Sequence, residues 1–123
     1  MKILIVDDSM TMRRIIRTTL IGIGYDAFAE AENGRDAMKV LNEEEIGLVI
    51  TDWNMPIMNG LKLVENIRAA EGAFKDVPVL MVTTNATSGD VVQALKAGVD
   101  NYVTKPMTKD QLKEKILMVT DQI

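Results

Sequence analysis

Ile3-Leu4-Ile5-Val6-Asp7-Asp8-Ser9, followed by Met12, Ile15, Ile16 and Leu20, decides the fold. Four consecutive apolar residues, three of them β-branched, suit a strand covered on both faces, because a half-exposed strand would alternate with polar residues. The next apolar residues fall at i, i+3, i+4 and i+8, the spacing of one helix face. Ser9 stands where a side-chain oxygen can cap the first turn. The unit is therefore a buried strand, an acidic turn and an amphipathic helix.

The same unit recurs along the chain. Apolar runs at Ala27–Ala31, Leu48–Thr51, Val79–Val82 and Tyr102–Thr104 predict four more strands. Helical spacing follows each, through Ala37, Val40 and Leu41, then Leu63, Val64 and Ile67, then Val91, Ala94 and Leu95, and last Leu112 and Ile116. Thr108 and Gln111 have the spacing of a capping box before the final helix, and Gly22 and Gly98 are expected where helices end in a left-handed residue. Five strand–helix units in strict alternation predict an α/β fold: a doubly wound five-stranded parallel sheet with five helices and right-handed crossovers.

Composition bounds the chemistry. The 123 residues suit one domain spanning 1–123, with no linker leading to an effector domain. Apolar residues make up 47% of the chain, in runs too short to span a membrane, and the acidic residues come too early for a signal peptide. A cytoplasmic location is expected. There is no cysteine and no histidine, so thiol chemistry, thiolate or imidazole metal sites and phosphohistidine are excluded. A net charge of −4 argues against nucleic-acid binding. Arg13, Arg14 and Arg17 read as a solvated helix face, the nine methionines as core filler, and Trp53 as a partly exposed aromatic beside Asp52.

In an open parallel sheet, ligands bind beyond the carboxyl ends of the strands. Strand one ends in Asp7-Asp8, strand three in Asp52 and strand four in Thr83-Thr84, and strand five is followed by Lys105-Pro106. An Asp pair after a strand is most often a turn, and a lone lysine is usually a surface charge. Four such residues at one sheet edge are harder to dismiss. Three carboxylates brought together repel, and an all-oxygen donor set favours Mg2+, which readily takes a phosphate oxygen. With no histidine available, Asp52 is the nucleophile to expect for phosphoryl transfer, and Lys105 and the Thr83 hydroxyl can hold other phosphoryl oxygens.

The motifs Val6-Asp7-Asp8-Ser9, Thr51-Asp52 with Met55-Pro56 and Asn59-Gly60, Val82-Thr83, Ala97-Gly98 and Lys105-Pro106 resemble those of two-component response regulator receiver domains. Ser9-Met10-Thr11-Met12-Arg13-Arg14, Asp52-Trp53-Asn54-Met55-Pro56 and Tyr102 are similar to the stand-alone chemotaxis members of that family. The resemblance implies a flavodoxin-like strand order, 2-1-3-4-5. It implies Mg2+ on Asp7, Asp52 and the backbone carbonyl of Asn54, with Asp8 acting partly through water. It further implies phosphorylation of Asp52 by a sensor histidine kinase, a switch formed by Thr83 and Tyr102, and a readout face for the flagellar motor switch. A phosphatase acting on the phosphorylated form is a further implied partner, and the chain is expected to be a monomer.

Thr84, Met107, Asn54 and Asn85 depart from the commonest family pattern or occupy positions that set hydrolysis rates in it. Two other outputs share the phosphorylation site: a phosphorelay intermediate and a regulator acting away from the motor. A haloacid-dehalogenase-like phosphatase would want a second Asp two residues after the nucleophile, where this chain has Asn54. A flavodoxin-like cofactor carrier would need a phosphate loop where Asp7-Asp8 stands.

Overall fold

The computed structural model describes residues 1–85 and 87–120. Five strands and five helices alternate: β1 (Ile3–Val6), α1 (Met10–Ile23), β2 (Phe28–Ala31), α2 (Gly34–Glu43), β3 (Leu48–Thr51), α3 (Gly60–Ala69), β4 (Val79–Thr83), α4 (Ser88–Ala97), β5 (Asn101–Thr104) and α5 (Lys109–Thr120). All four strand pairings are parallel, and the order is β2-β1-β3-β4-β5. The expected architecture is the observed one: β1 and β3 have the expected bounds, and β2, β4 and β5 each differ by a residue at one end.

Strand alternation divides the core in two. Leu4, Val6, Val49, Val79 and Met81 point to one face, with Leu63, Val64 and Ile67 of α3 and Ala37 and Leu41 of α2. Ile3, Ile5, Leu48, Ile50, Leu80 and Val82 point to the other, with Ile16 and Leu20 of α1 and Leu112, Ile116 and Val119 of α5. Burial on both sides explains why these strands read as unbroken apolar runs.

Several expectations need correction. Trp53 is buried, at 8% exposure. The alternation of β3 carries past its end, so residue 53 falls on the Val49 face and joins that core. Gly22 lies inside α1, and Gly24 (φ 121°) ends it, donating its N–H to the carbonyls of Leu20 and Ile21. Ile23 packs on the core, which extends the helix beyond Gly22. Gly98 (φ 115°) does end α4. Ser9 and the Thr108–Gln111 pair cap α1 and α5 as expected.

Helical spacing also overestimated what is buried. Ile15 and Leu95 are each 48% exposed, because the apolar stripes of α1 and α4 are wider than the strips that touch the sheet. Among the methionines, Met81 alone is fully buried, and Met1, Met10 and Met118 are more than half exposed.

Candidate phosphorylation site

In the order 2-1-3-4-5 the chain leaves β1 in one direction for β2 and returns across it to β3. The crevice at that reversal therefore lies between the carboxyl ends of β1 and β3. Asp7 follows β1 and Asp52 follows β3, one register step beyond the Val6–Thr51 pair. Side-chain oxygens of Asp7, Asp8 and Asp52 all lie within 4.8 Å of one another.

Each acid is held differently. Asp7 is buried, and one of its oxygens accepts the N–H of Ser9 at 2.9 Å. Asp8 is exposed. Asp52 is half-buried, and its Oδ1 accepts the N–H of Trp53 at 2.7 Å. Lys105 reaches in after β5 and places Nζ 2.9 Å from Asp7 Oδ2 and 3.3 Å from Asp52 Oδ2. One ammonium against three carboxylates leaves an excess of negative charge in a site where two of the acids are largely shielded from water. A divalent cation with oxygen preference fits that donor set.

Gly60 lets the site close. Its N–H bonds the Trp53 carbonyl at 2.8 Å, and a methyl group there would run into the Asp52 carbonyl oxygen. The start of α3 thus abuts the backbone of Asp52, and residues 53–59 form a loop whose ends meet. Asn59 caps α3 by accepting the N–H of Lys62 at 2.8 Å.

Asn85 connects the remaining predicted residues. Its N–H donates to the Oγ1 of Thr83, a fully buried residue, at 3.3 Å. Its side-chain oxygen accepts from Asn54 Nδ2 at 3.1 Å. Its carbonyl accepts the Tyr102 hydroxyl. The Tyr102 ring is half-buried, and its pKa is raised by burial first, then by the charges of Asp90 and Asp52. Thr84 is exposed beside Thr83, and Met107 packs partly onto the α1/α5 core. Thr83 and Tyr102 are thus joined through one loop residue that β-strand patterning could not single out.

Two arginines do more than their sequence positions suggested. Arg13 is drawn in from the expected solvated face, donating to the Asp7 carbonyl at 2.6 Å and to Glu30 at 3.0 Å. Its partners lie just after β1 and within β2, so only tertiary contact marks it. Arg17 also reaches Glu30, and Arg14 stays exposed as expected. At the opposite sheet edge, Arg68 of α3 donates to the carbonyls of Gly98, Lys75 and Val77 and to Asp100. Asp100 in turn accepts the N–H of Val79 at 2.8 Å.

Residues 3–117 match the family described as response regulator receiver domain. The chain belongs to that family. The receiver is 53% identical over 117 residues to a chemotaxis protein CheY homolog of Campylobacter jejuni, covering 94% of this chain and 89% of that protein. Among solved structures, it is similar to the chemotaxis response regulator CheY4 of Vibrio cholerae. The TM-score is 0.87 and the identity 30%, with 96% of this chain and 97% of that one covered. The receiver domain of a sensor histidine kinase from Pseudomonas aeruginosa superposes with a TM-score of 0.88 at 26% identity, covering 98% of both chains, and its structure has a magnesium ion coordinated in the active site cleft. Among the described residues, no helix of the receiver is long and apolar enough to cross a membrane.

Proposed function

We propose that this receiver is a phosphorylation switch of the chemotaxis type, working in the cytoplasm, with Asp52 as the phosphoacceptor and a sensor histidine kinase as the donor. The observation that carries this reading is the convergence of Asp7, Asp8 and Asp52 around a single lysine. An isolated acidic turn would have no use for three carboxylates held against their mutual repulsion.

Asp7, Asp8 and Asp52, with the backbone carbonyl of Asn54, would hold Mg2+. When bound, the ion neutralises charge on the transferring phosphoryl group. The Trp53 N–H orients the Asp52 carboxylate for attack. A carboxylate oxygen forms the new O–P bond as the donor imidazole N–P bond breaks. The electron pair stays on the imidazole nitrogen, and an acyl phosphate forms on Asp52. Lys105, already against Asp52, meets the added negative charge as a compact cation. Transfer runs on positioning and charge, and the chain acts on itself as acceptor rather than turning over a substrate.

The switch would pass from Thr83 through Asn85 to Tyr102. A new phosphoryl oxygen competing for the Thr83 hydroxyl would disturb its contact with the Asn85 N–H, and the Asn85 carbonyl holds the Tyr102 hydroxyl. A charge-assisted hydrogen bond contributes about 1.5–3 kcal/mol, enough to bias two states a few kcal/mol apart. Tyr102 feels the charge of Asp90 on α4, whose Val92 and Leu95 are about half exposed, and its neighbour Asn101 contacts Met118 of α5, which is likewise exposed. That apolar face would receive the flagellar motor switch, in line with the chemotaxis relatives.

Intact mass tests the reading. Acetyl phosphate with Mg2+ should add one phosphoryl group to the wild type and none to Asp52→Asn. Label on another residue, or none on the wild type, would overturn the assignment. Binding of motor-switch peptides by the phosphorylated form alone would separate the motor output from a phosphorelay.

A further inference from the structure

Ile57, in the loop that follows Asp52, has φ 70°, and among the described residues no other non-glycine residue has a positive φ. The Met58 N–H bonds the Pro56 carbonyl at 2.7 Å, closing a γ-turn with Ile57 at its centre. That turn is strained for any L-residue, and a β-branched side chain is among the worst choices for it. The surroundings impose the conformation. Met58 accepts the Gly34 N–H at 2.9 Å and packs so closely on Gly34 that a methyl group there would collide with it. Gly60 and Asn59 pin the far end of the loop.

Glycine or asparagine at position 57 would ease the strain, and the fold gains little packing from isoleucine, which is 67% exposed. Strain of this kind is held by its surroundings and clusters in segments that serve a functional purpose. The position suggests which one. The loop 53–59 leaves and rejoins the backbone at Asp52, so Ile57 is displayed on the segment that frames the reacting carboxylate. The other acid-bearing loop has a counterpart: Met10, two residues after Asp8, is 60% exposed. A protein donor must bring its phosphoryl group into bonding contact with Asp52 and therefore covers this rim, whereas a small phosphodonor touches only the pocket.

We propose that Ile57 is a contact residue for the phosphodonor protein, meeting an apolar surface beside that protein's phosphorylated side chain and setting the rate of protein-to-protein transfer. This rests on the phosphorylation reading above and adds a residue outside the acid pocket.

The test compares Ile57→Asn, Ile57→Gly and Ile57→Met in the full chain, with two donors. Acetyl phosphate with Mg2+ should label all forms at the wild-type rate. Transfer from the phosphorylated histidine domain of the chemotaxis kinase of the same genome should slow at least about fivefold in Ile57→Asn and Ile57→Gly. Ile57→Met, which stays apolar, should retain most of the rate. The Asn and Gly forms should also unfold at higher temperature than the wild type. Unchanged protein-to-protein transfer would overturn the proposal, as would equal slowing with both donors, which would make Ile57 a shaper of the pocket. A change in sedimentation confined to the variants would reassign the residue to contact between copies. No label from acetyl phosphate on the wild type would instead remove the phosphorylation reading beneath it.

Discussion

Asp52→Asn should stabilise the magnesium-free protein. In the folded state Asp52 stands within 4.8 Å of both Asp7 and Asp8. Taking that limit as the separation, each repulsion costs at least about 3.5 kcal/mol at an effective dielectric constant of about 20, and at least about 0.9 kcal/mol at the value for water. Lys105 offsets part of this at 3.3 Å, by about 5 kcal/mol and about 1.3 kcal/mol in the same two limits. The net repulsion on Asp52 is then about 0.5–2 kcal/mol, and it vanishes in an unfolded chain where the groups are far apart. Asparagine keeps an acceptor for the Trp53 N–H, so the substitution removes charge and little else. For a chain of this size the gain corresponds to a rise of about 2–8 °C in the unfolding midpoint.

The assay is thermal unfolding by circular dichroism, first with EDTA and then with Mg2+. At a concentration about 100 times its Kd, the ion adds about 2.7 kcal/mol to the wild type, and the variant should gain much less. A variant that melts below the wild type in EDTA would refute the electrostatic account of the pocket. Equal stabilisation of both by Mg2+ would refute the role of Asp52 as a ligand.

Lys105→Ala should keep magnesium binding, since the lysine supplies no ligand, yet slow phosphorylation and weaken switching; loss of magnesium affinity in a calorimetric titration would contradict its role. Arg68→Ala should cost about 3 kcal/mol in urea unfolding, because it leaves carbonyls at Gly98, Lys75 and Val77 without their charged partner. A loss under about 1 kcal/mol would mean water replaces the guanidinium freely. Tyr102 should ionise above the ordinary tyrosine range, and Asp90→Asn should bring it down, read by phenolate absorbance against Tyr102→Phe. Because the folded pKa is raised, its contribution to stability is complete below the ordinary tyrosine value and disappears as pH climbs through the folded one. A Tyr102 pKa insensitive to Asp90 would leave only burial and the charge of Asp52 to raise it.

The linear pattern carried the architecture because both sides of each strand are buried. Ile3–Val6 and Leu48–Thr51 have no solvent face to interrupt them, and the chain between strands is just long enough for one helix. The acids were legible for a related reason: a parallel sheet brings the ends of its strands to one edge, so residues following Ile3–Val6 and Leu48–Thr51 had to share that edge, and the family resemblance supplied the strand order that makes them neighbours. Caps were local, and Ser9 and Thr108 could be read from their own neighbours.

What depends on contact across the chain was out of reach. Whether Ile15 or Leu95 faces the core is decided by how far each helix rolls on the sheet, which spacing alone leaves open. Trp53 is buried because the pleat of β3 continues beyond its last ladder bond. Arg13 is drawn inward by Glu30 and by the Asp7 carbonyl, and Arg68 by carbonyls up to 30 residues away in sequence. The junction at Asn85 exists only because β4 and β5 lie side by side, bringing Tyr102 to the loop after Thr83. Local composition and periodicity determined which elements form and which edge gathers the acids. Long-range packing alone decided which side chains turn inward, because that choice is made by partners distant in the chain.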